Sequence, residues 1–268
     1  MSNAPVTASQ ARLDPRAAPT PAFIAAIRQR FPVESEIDRV LTRKMNRRSE
    51  PGYVALPLER LVTGTHALIC ARTGDNCTLT NPRWLQGGAA KLQMAFALDW
   101  CGPEGGARRT TPMVLRMEPP EAIVETSRRR EFEMLGLMDG VVPVPRRYWL
   151  DADGDYLPYP ALIYGFADGV TKPQTWETQQ VTGVGTHFGP RLRPVLGQQF
   201  VQALAAIHTV PAARLGELTM FERAVVGSNA SIVRQVHWWR RVWEEDRPED
   251  LPLVNVASSL ADRPRAAT

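Results

Sequence analysis

The spacing of apolar positions changes several times along the chain. Phe23, Ile24, Ile27 and Phe31 recur at helical intervals behind Pro21, a residue suited to a first helical turn. Ile37, Val40, Leu41 and Met45 make a second face. Glu34 and Glu36 stand at its start and Arg43, Arg47 and Arg48 at its end, the polarity a helix dipole favours. Leu56 to Cys70 is a third amphipathic run. Ahead of these helices, residues 1–20 are rich in Ala, Pro, Ser and Thr and predict a disordered arm.

Beyond Asn76 the intervals shorten. Thr78–Thr80 and Leu92–Leu98 predict strands flanking Gln86-Gly87-Gly88-Ala89-Ala90, and Pro112–Met117 predicts a third that stops at Pro119-Pro120. A helix is expected from Glu121 to Met138, closed by Asp139-Gly140. Val142-Pro143-Val144-Pro145 leads into a strand over Arg146–Leu150, Asp151–Asp155 forms a turn, and Ala161–Tyr164 is a further strand. After Gly169 strands vanish. Thr171–Pro190 reads as loop, Leu196–Val210 as an amphipathic helix bounded by Pro194 and Pro211, and about Ala224–Glu245 as a helix carrying Trp238, Trp239 and Trp243. The polar end from Asp262 is expected to fray. Three segments result: an arm and helical extension over 1–77, a strand-rich lobe over 78–168, and a helical part over 169–268.

Composition narrows the classes. The 268 residues are 44% hydrophobic and 22% charged, enough for a packed core, with a net charge of only +4. That excess is too small for a nucleic-acid-binding tail. Arg128-Arg129-Arg130 and Arg240-Arg241 lie beside acidic residues on predicted helices, so they read as solvated faces. The tryptophans near residue 240 could stack on bases, but their helical spacing favours a packed face, and no nucleic-acid partner is expected. Cys70, Cys77 and Cys101 contain no Cys-x-x-Cys pair, which fits reduced thiols. No basic-then-apolar leader opens the chain, and no run approaches the roughly 18 apolar residues of a membrane span. A cytoplasmic protein without a membrane partner is expected.

The candidate chemistry lies between residues 78 and 168. A strand, small-residue turn and strand, followed by a strand with a cation and a helix with a carboxylate, can hold ATP. Backbone N–H groups of the turn approach the phosphates, the cation neutralises them, and the carboxylate fixes the cation. Here the turn is Gly87, Gly88 and Ala89, the cation Arg116, and the carboxylate Glu131. Glu133 points about 200° round the helix from Glu131, so only one of the two can face the cation. Glu131, opposite the apolar run, is the one expected, although helix phase alone does not decide. Taken alone, Gly87-Gly88 is an ordinary hairpin turn. Arg116 on an apolar strand is different, because a charge there needs a partner. Tyr164, Gly165 and Phe166 stand where the backbone would meet adenine. Asp151, Asp153 and Asp155 do not make a calcium loop: Gly154 comes too early, and Leu162 stands where the loop needs Glu.

Six segments occur in order: Leu85-Gln86-Gly87-Gly88-Ala89, Val114-Leu115-Arg116, Arg130-Glu131-Phe132-Glu133-Met134-Leu135, Val142-Pro143-Val144-Pro145, Ala161 through Gly169, and Leu204-Ala205-Ala206-Ile207-His208. Together they resemble the aminoglycoside-phosphotransferase-like family, small-molecule kinases with a protein-kinase-like fold. The resemblance implies an α+β fold: a kinase-like N-lobe of antiparallel sheet plus one helix, with a helical N-terminal extension and a partial helical C-lobe. It also implies ATP, Mg²⁺ and a small-molecule acceptor of unknown identity. It makes Gly87, Gly88, Ala89, Arg116, Glu131, Tyr164, Gly165 and Phe166 the nucleotide-binding set. Many members carry Arg where other kinases carry the third-strand Lys.

One departure is an absence. The family's catalytic loop is His-Gly-Asp with an Asn five residues after the Asp, and a later Asp holds Mg²⁺. The histidines here, His66, His187, His208 and His237, are followed two places on by Leu68, Gly189, Val210 and Trp239. No catalytic residue and no metal ligand is therefore assigned. The expectation is a C-terminally incomplete phosphotransferase, inactive as this chain, with a non-catalytic nucleotide-binding or protein-interaction module as the alternative. Leu204, Ile207, Trp238 and Trp243 are then expected to be partly exposed, with self-association as the consequence.

Overall fold

A computed structural model describes residues 14–48, 56–74, 76–85, 91–102, 106–118, 126–169 and 189–246. The chain divides into two compact units that interleave in sequence. One comprises Leu56–Met117 and Arg128–Thr219, the other Met1–Ala55, Glu118–Ser127 and Met220–Thr268.

The first unit is built on a sheet of five strands: β1 (Thr78–Trp84), β2 (Leu92–Trp100), β3 (Arg109–Met117), β4 (Arg147–Asp151) and β5 (Ala161–Gly165). The order is β1-β2-β3-β5-β4, and every neighbouring pair is antiparallel. β2 and β3 share an unbroken ladder from Leu92↔Met117 to Trp100↔Arg109. Edge strand β1 slips register between Thr80 and Arg83. There Asn81 takes φ 53°, a left-handed conformation that Asn tolerates, and Pro82 follows on the edge, where a missing donor costs least.

Period-two alternation sorts the side chains. Met94, Phe96 and Leu98 of β2, Met113, Leu115 and Met117 of β3, and Ala161 and Ile163 of β5 share one face. Helix α3 (Leu58–Thr73) covers it with Leu61, Leu68 and Ile69, and Trp100 packs edge-on against Tyr148 and Trp149. The turn after β4 is organised by a carboxylate. The buried Asp151 carboxylate accepts N–H bonds from Asp155, Tyr156 and Leu157 at 2.8, 3.1 and 2.9 Å, which draws Leu157 into the core.

Helix α4 (Arg128–Met138) starts later than its sequence suggests. Thr126 and Ser127 are not helical, and the Glu118 carboxylate accepts the Thr126 N–H at 3.3 Å. Helix α5 (Gly189–His208) starts earlier than expected and contains Pro194, forfeiting the bond that residue's missing N–H would have made. Its Phe200, Val201, Leu204 and Ile207 are exposed. A short helix, α6 (Ala212–Leu215), follows.

Among its described residues the second unit contains three helices: α1 (Pro21–Arg30), α2 (Ser35–Arg47) and α7 (Ala230–Asp246). Thr20 caps α1, its hydroxyl accepting the Phe23 N–H at 3.2 Å ahead of Pro21. Ile24, Ile27, Phe31 and Met45 form the apolar cluster. Helix α7 begins at Ala230 rather than near Ala224; Gly227 has φ 78° and the Ser228 hydroxyl accepts the Ala230 N–H at 3.0 Å. Trp239 is exposed and stacks on half-buried Trp238.

The arginine runs are not solvated faces. Arg240 and Arg241 are buried, as is Arg128 in the sheet-bearing unit. Each has an acidic partner: Arg240 with Glu244 at 2.7 Å, Arg241 with Asp38 at 2.6 Å, and Arg128 with Glu131. Charge pairing makes that burial tolerable.

Candidate functional site

Arg116 lies one position from the end of β3, and alternation sends it to the face opposite Leu115 and Met117. Its cross-strand neighbours are Gln93 on β2 and Leu162 on β5. On the same face, Val114 stands opposite Ala95 and Tyr164. Ala95 and Val114 are buried, so the floor beside Arg116 is small and apolar.

The first turn of α4 supplies the counter-charge. Glu131 Oε1 lies 3.1 Å from Arg116 Nε, an ion pair by distance that lacks the alignment of a hydrogen bond. Arg128, three residues earlier on α4, pairs with the other carboxylate oxygen, Oε2. Glu131 is thus clasped between a strand arginine and a helix arginine. Arg128 is almost wholly buried, whereas Arg116 and Glu131 each keep roughly a quarter of their side-chain surface in solvent. The trio has a net charge of one positive unit, on the half-exposed side where a solute can reach it.

Tyr164 completes the group. Burial pushes its phenol pKa up, as does the Glu131 charge, while Arg116, hydrogen-bonded to the phenol, and Arg128 oppose the shift. The phenol therefore stays protonated as a donor next to the guanidinium. Beyond it the strand end is tied down: the Gly165 N–H donates to Arg146 O at 2.8 Å and the Phe166 N–H to Pro112 O at 3.0 Å. The Phe166 ring lies 5.8 Å from the Arg83 guanidinium.

Of the two glutamates that helix phase left open, Glu131 meets Arg116. Glu133 accepts instead from Thr219, whose hydroxyl and N–H lie 2.5 and 3.1 Å from Oε1. The structure thus gathers Arg116, Glu131 and Tyr164, with Gly165 and Phe166 continuing the strand. Gly87, Gly88 and Ala89 lie outside the described residues. The ladder leading to them runs to its end, since the Leu85 N–H donates to Gln93 O at 2.9 Å. Arg128 is the residue that sequence reasoning missed. Its signal was the i,i+3 spacing to Glu131, hidden in a run of three arginines.

Among the described residues, the group of His, Cys, Asp and Glu side chains close enough to share an ion is His66, Cys70 and Cys77. Mg²⁺ prefers carboxylate and water oxygens, so these soft donors do not fit it. No step through Mg²⁺ is derived from this chain.

A five-stranded antiparallel sheet with one helix whose glutamate pairs with a third-strand cation has the build of a kinase-like N-lobe. The comparison with known families agrees. The pattern of the phosphotransferase enzyme family matches residues 104–267, and the chain belongs to that family. No curated protein matches the chain. Among the described residues no helix is long and apolar enough to cross a membrane.

Proposed function

We propose that this chain binds ATP on the Arg116 face of the sheet, and that the complete family fold transfers the terminal phosphoryl group to a small-molecule hydroxyl. The observation that carries the reading is the Arg116–Glu131 ion pair reinforced by Arg128. A guanidinium presents N–H donors in a fixed fork that matches phosphate oxygens. Glu131 and the Tyr164 phenol each engage Arg116, and the remaining N–H groups of the fork would meet the ligand. Arg128 keeps the carboxylate in place, and Tyr164 offers one more donor. Because the Gly165 and Phe166 N–H groups are engaged within the protein, the purine edge would meet carbonyl oxygens or the residues that follow. Gly87, Gly88 and Ala89 would close over the phosphates.

Binding and turnover separate in this reading. Phosphoryl transfer needs a group that accepts the hydroxyl proton as oxygen attacks phosphorus, and no histidine here is followed by the Asp that does this in the family loop. The chain by itself therefore acts as a nucleotide binder. Titration of a fluorescent ATP analogue tests this. Arg116→Ala should weaken binding at least about tenfold, the loss of one charge-assisted pair, with partial rescue in Arg116→Lys. Equal affinity in Arg116→Ala would sink the site. Phosphorylation of aminoglycosides by the purified chain, abolished by that same substitution, would sink the separation of binding from turnover.

A further inference from the structure

A second constellation lies outside the segment matched by the family. Helix α3 carries His66 and Cys70 one turn apart on a single face, and the connection to β1 returns Cys77 beside them. Cys70 Sγ is 3.4 Å from Cys77 Sγ and 3.6 and 3.5 Å from His66 Nδ1 and Nε2. One donor atom from each of the three residues lies within 4.8 Å of the others. A tetrahedral cation with metal–sulfur bonds of ~2.3 Å and a metal–nitrogen bond of ~2.1 Å has edges of about 3.8 Å between sulfurs and about 3.6 Å between sulfur and nitrogen. The Cys70–His66 edge is that size, the sulfur–sulfur edge is slightly contracted, and the His66–Cys77 edge lies within 4.8 Å.

One imidazole nitrogen has a backbone partner. His66 Nε2 lies 3.3 Å from the Cys77 carbonyl, so an N–H there donates to the backbone and Nδ1 keeps its lone pair for the cation. A backbone carbonyl on the far nitrogen is the usual outer support of a metal-bound histidine. Burial is graded: Cys77 is buried, Cys70 half-buried and His66 exposed, so the triangle opens toward solvent on one side. Thiolate and imidazole donors in a tetrahedral frame select zinc over magnesium or calcium.

We infer that His66, Cys70 and Cys77 form a zinc site with its fourth position open to water or a solute, tying the end of α3 to the start of β1. Binding displaces the two thiol protons, so affinity rises with pH. The whole chain, purified under a non-coordinating reductant, is titrated with zinc against a chromophoric chelator, and with cobalt as a spectroscopic stand-in. One equivalent should bind, and the cobalt form should show thiolate charge-transfer absorption with the intense ligand-field bands of a tetrahedral site. His66→Gln alters an exposed position and Cys70→Ser a half-buried one of nearly equal size, so both should fold, as circular dichroism would confirm. Each should lower zinc affinity at least tenfold and remove or shift the cobalt bands, while Cys101→Ser keeps both. Wild-type affinity in Cys70→Ser would overturn the site. So would a reduced chain that takes no zinc and instead forms a Cys70–Cys77 disulfide in air.

Discussion

The two units bury different kinds of side chain. The sheet-bearing unit has a dry apolar cluster in which methionine, leucine, phenylalanine and isoleucine from three strands interlock with α3, while its buried Arg128 and Asp151 lie outside that cluster. The helical unit has a small apolar cluster and, beside it, buried charge: Lys44, Arg240, Arg241, Glu244 and Glu245 are all shielded from water. Arg241 holds Asp38 at 2.6 Å and approaches Glu245 at 3.7 Å, and Lys44 holds Asp246 at 2.8 Å. A dry core is stabilised by area removed from water and is indifferent to pH. A charged core gives specific pairing but stays sensitive to protonation and to loss of either partner.

The largest expected effect is in the dry core. Leu115→Ala removes a fully buried side chain from the middle of β3 and should cost about 3 to 4 kcal/mol in denaturant unfolding, the transfer and cavity terms together. A loss below about 1 kcal/mol would mean that this interior is loose, and the contrast would fail.

The charged core should behave differently under repair. Arg241→Met alone leaves Glu245 buried beside an apolar chain and should cost about 3 kcal/mol at pH 8. Adding Glu245→Leu should recover the part of that loss due to the stranded Glu245 charge, while Asp38 keeps Arg28 as its partner. A double-mutant cycle in chemical denaturation reads the coupling. Simple additivity would show that the two residues do not act as a pair.

The strands were legible because a sheet with one dry face imposes period-two alternation, so Leu92–Leu98 and Pro112–Met117 declare themselves. The Arg116–Glu131 pairing was legible as an order of elements, while the choice over Glu133 needed the position of Thr219. Two features were hidden for the same physical reason. Buried Arg241 is paired with Asp38 and buried Arg240 lies over Phe31, both some two hundred positions away in sequence, and an i,i+4 Arg–Glu pattern looks the same on a solvated helix. The His66–Cys70–Cys77 triangle depends on the return of the chain after α3, and its spacing matches no common metal motif.

The smallest predicted effect isolates the charged core by pH. Burial pushes the Glu245 carboxyl up to about 7, and the nearby positive charges of Arg241, Lys44 and Arg48 only partly offset it. Neither of its oxygens has a hydrogen-bond partner, so nothing but charge holds the ionised form. An unfolded glutamate titrates near 4.5. Between that value and about 7 the folded chain therefore binds more protons than the unfolded chain, and stability must fall as pH rises through this window. Asp38 is the opposite case. Burial works against its ionised form, but hydrogen bonds from Arg28 and Arg241 outweigh that and hold its pKa below the usual value, so its contribution is lost only under strong acid. Across pH 5 to 8 the Glu245 slope should stand alone in this pair and amount to about 2 kcal/mol, less than the full shift implies because part of the window between the two pKa values lies below pH 5. Glu245→Gln keeps the shape and removes the titration. Its unfolding free energy should be flat over that range and exceed that of the parent at pH 8, whatever constant cost the amide adds at pH 5. Parallel pH profiles for the two proteins would show that Glu245 does not carry the proton.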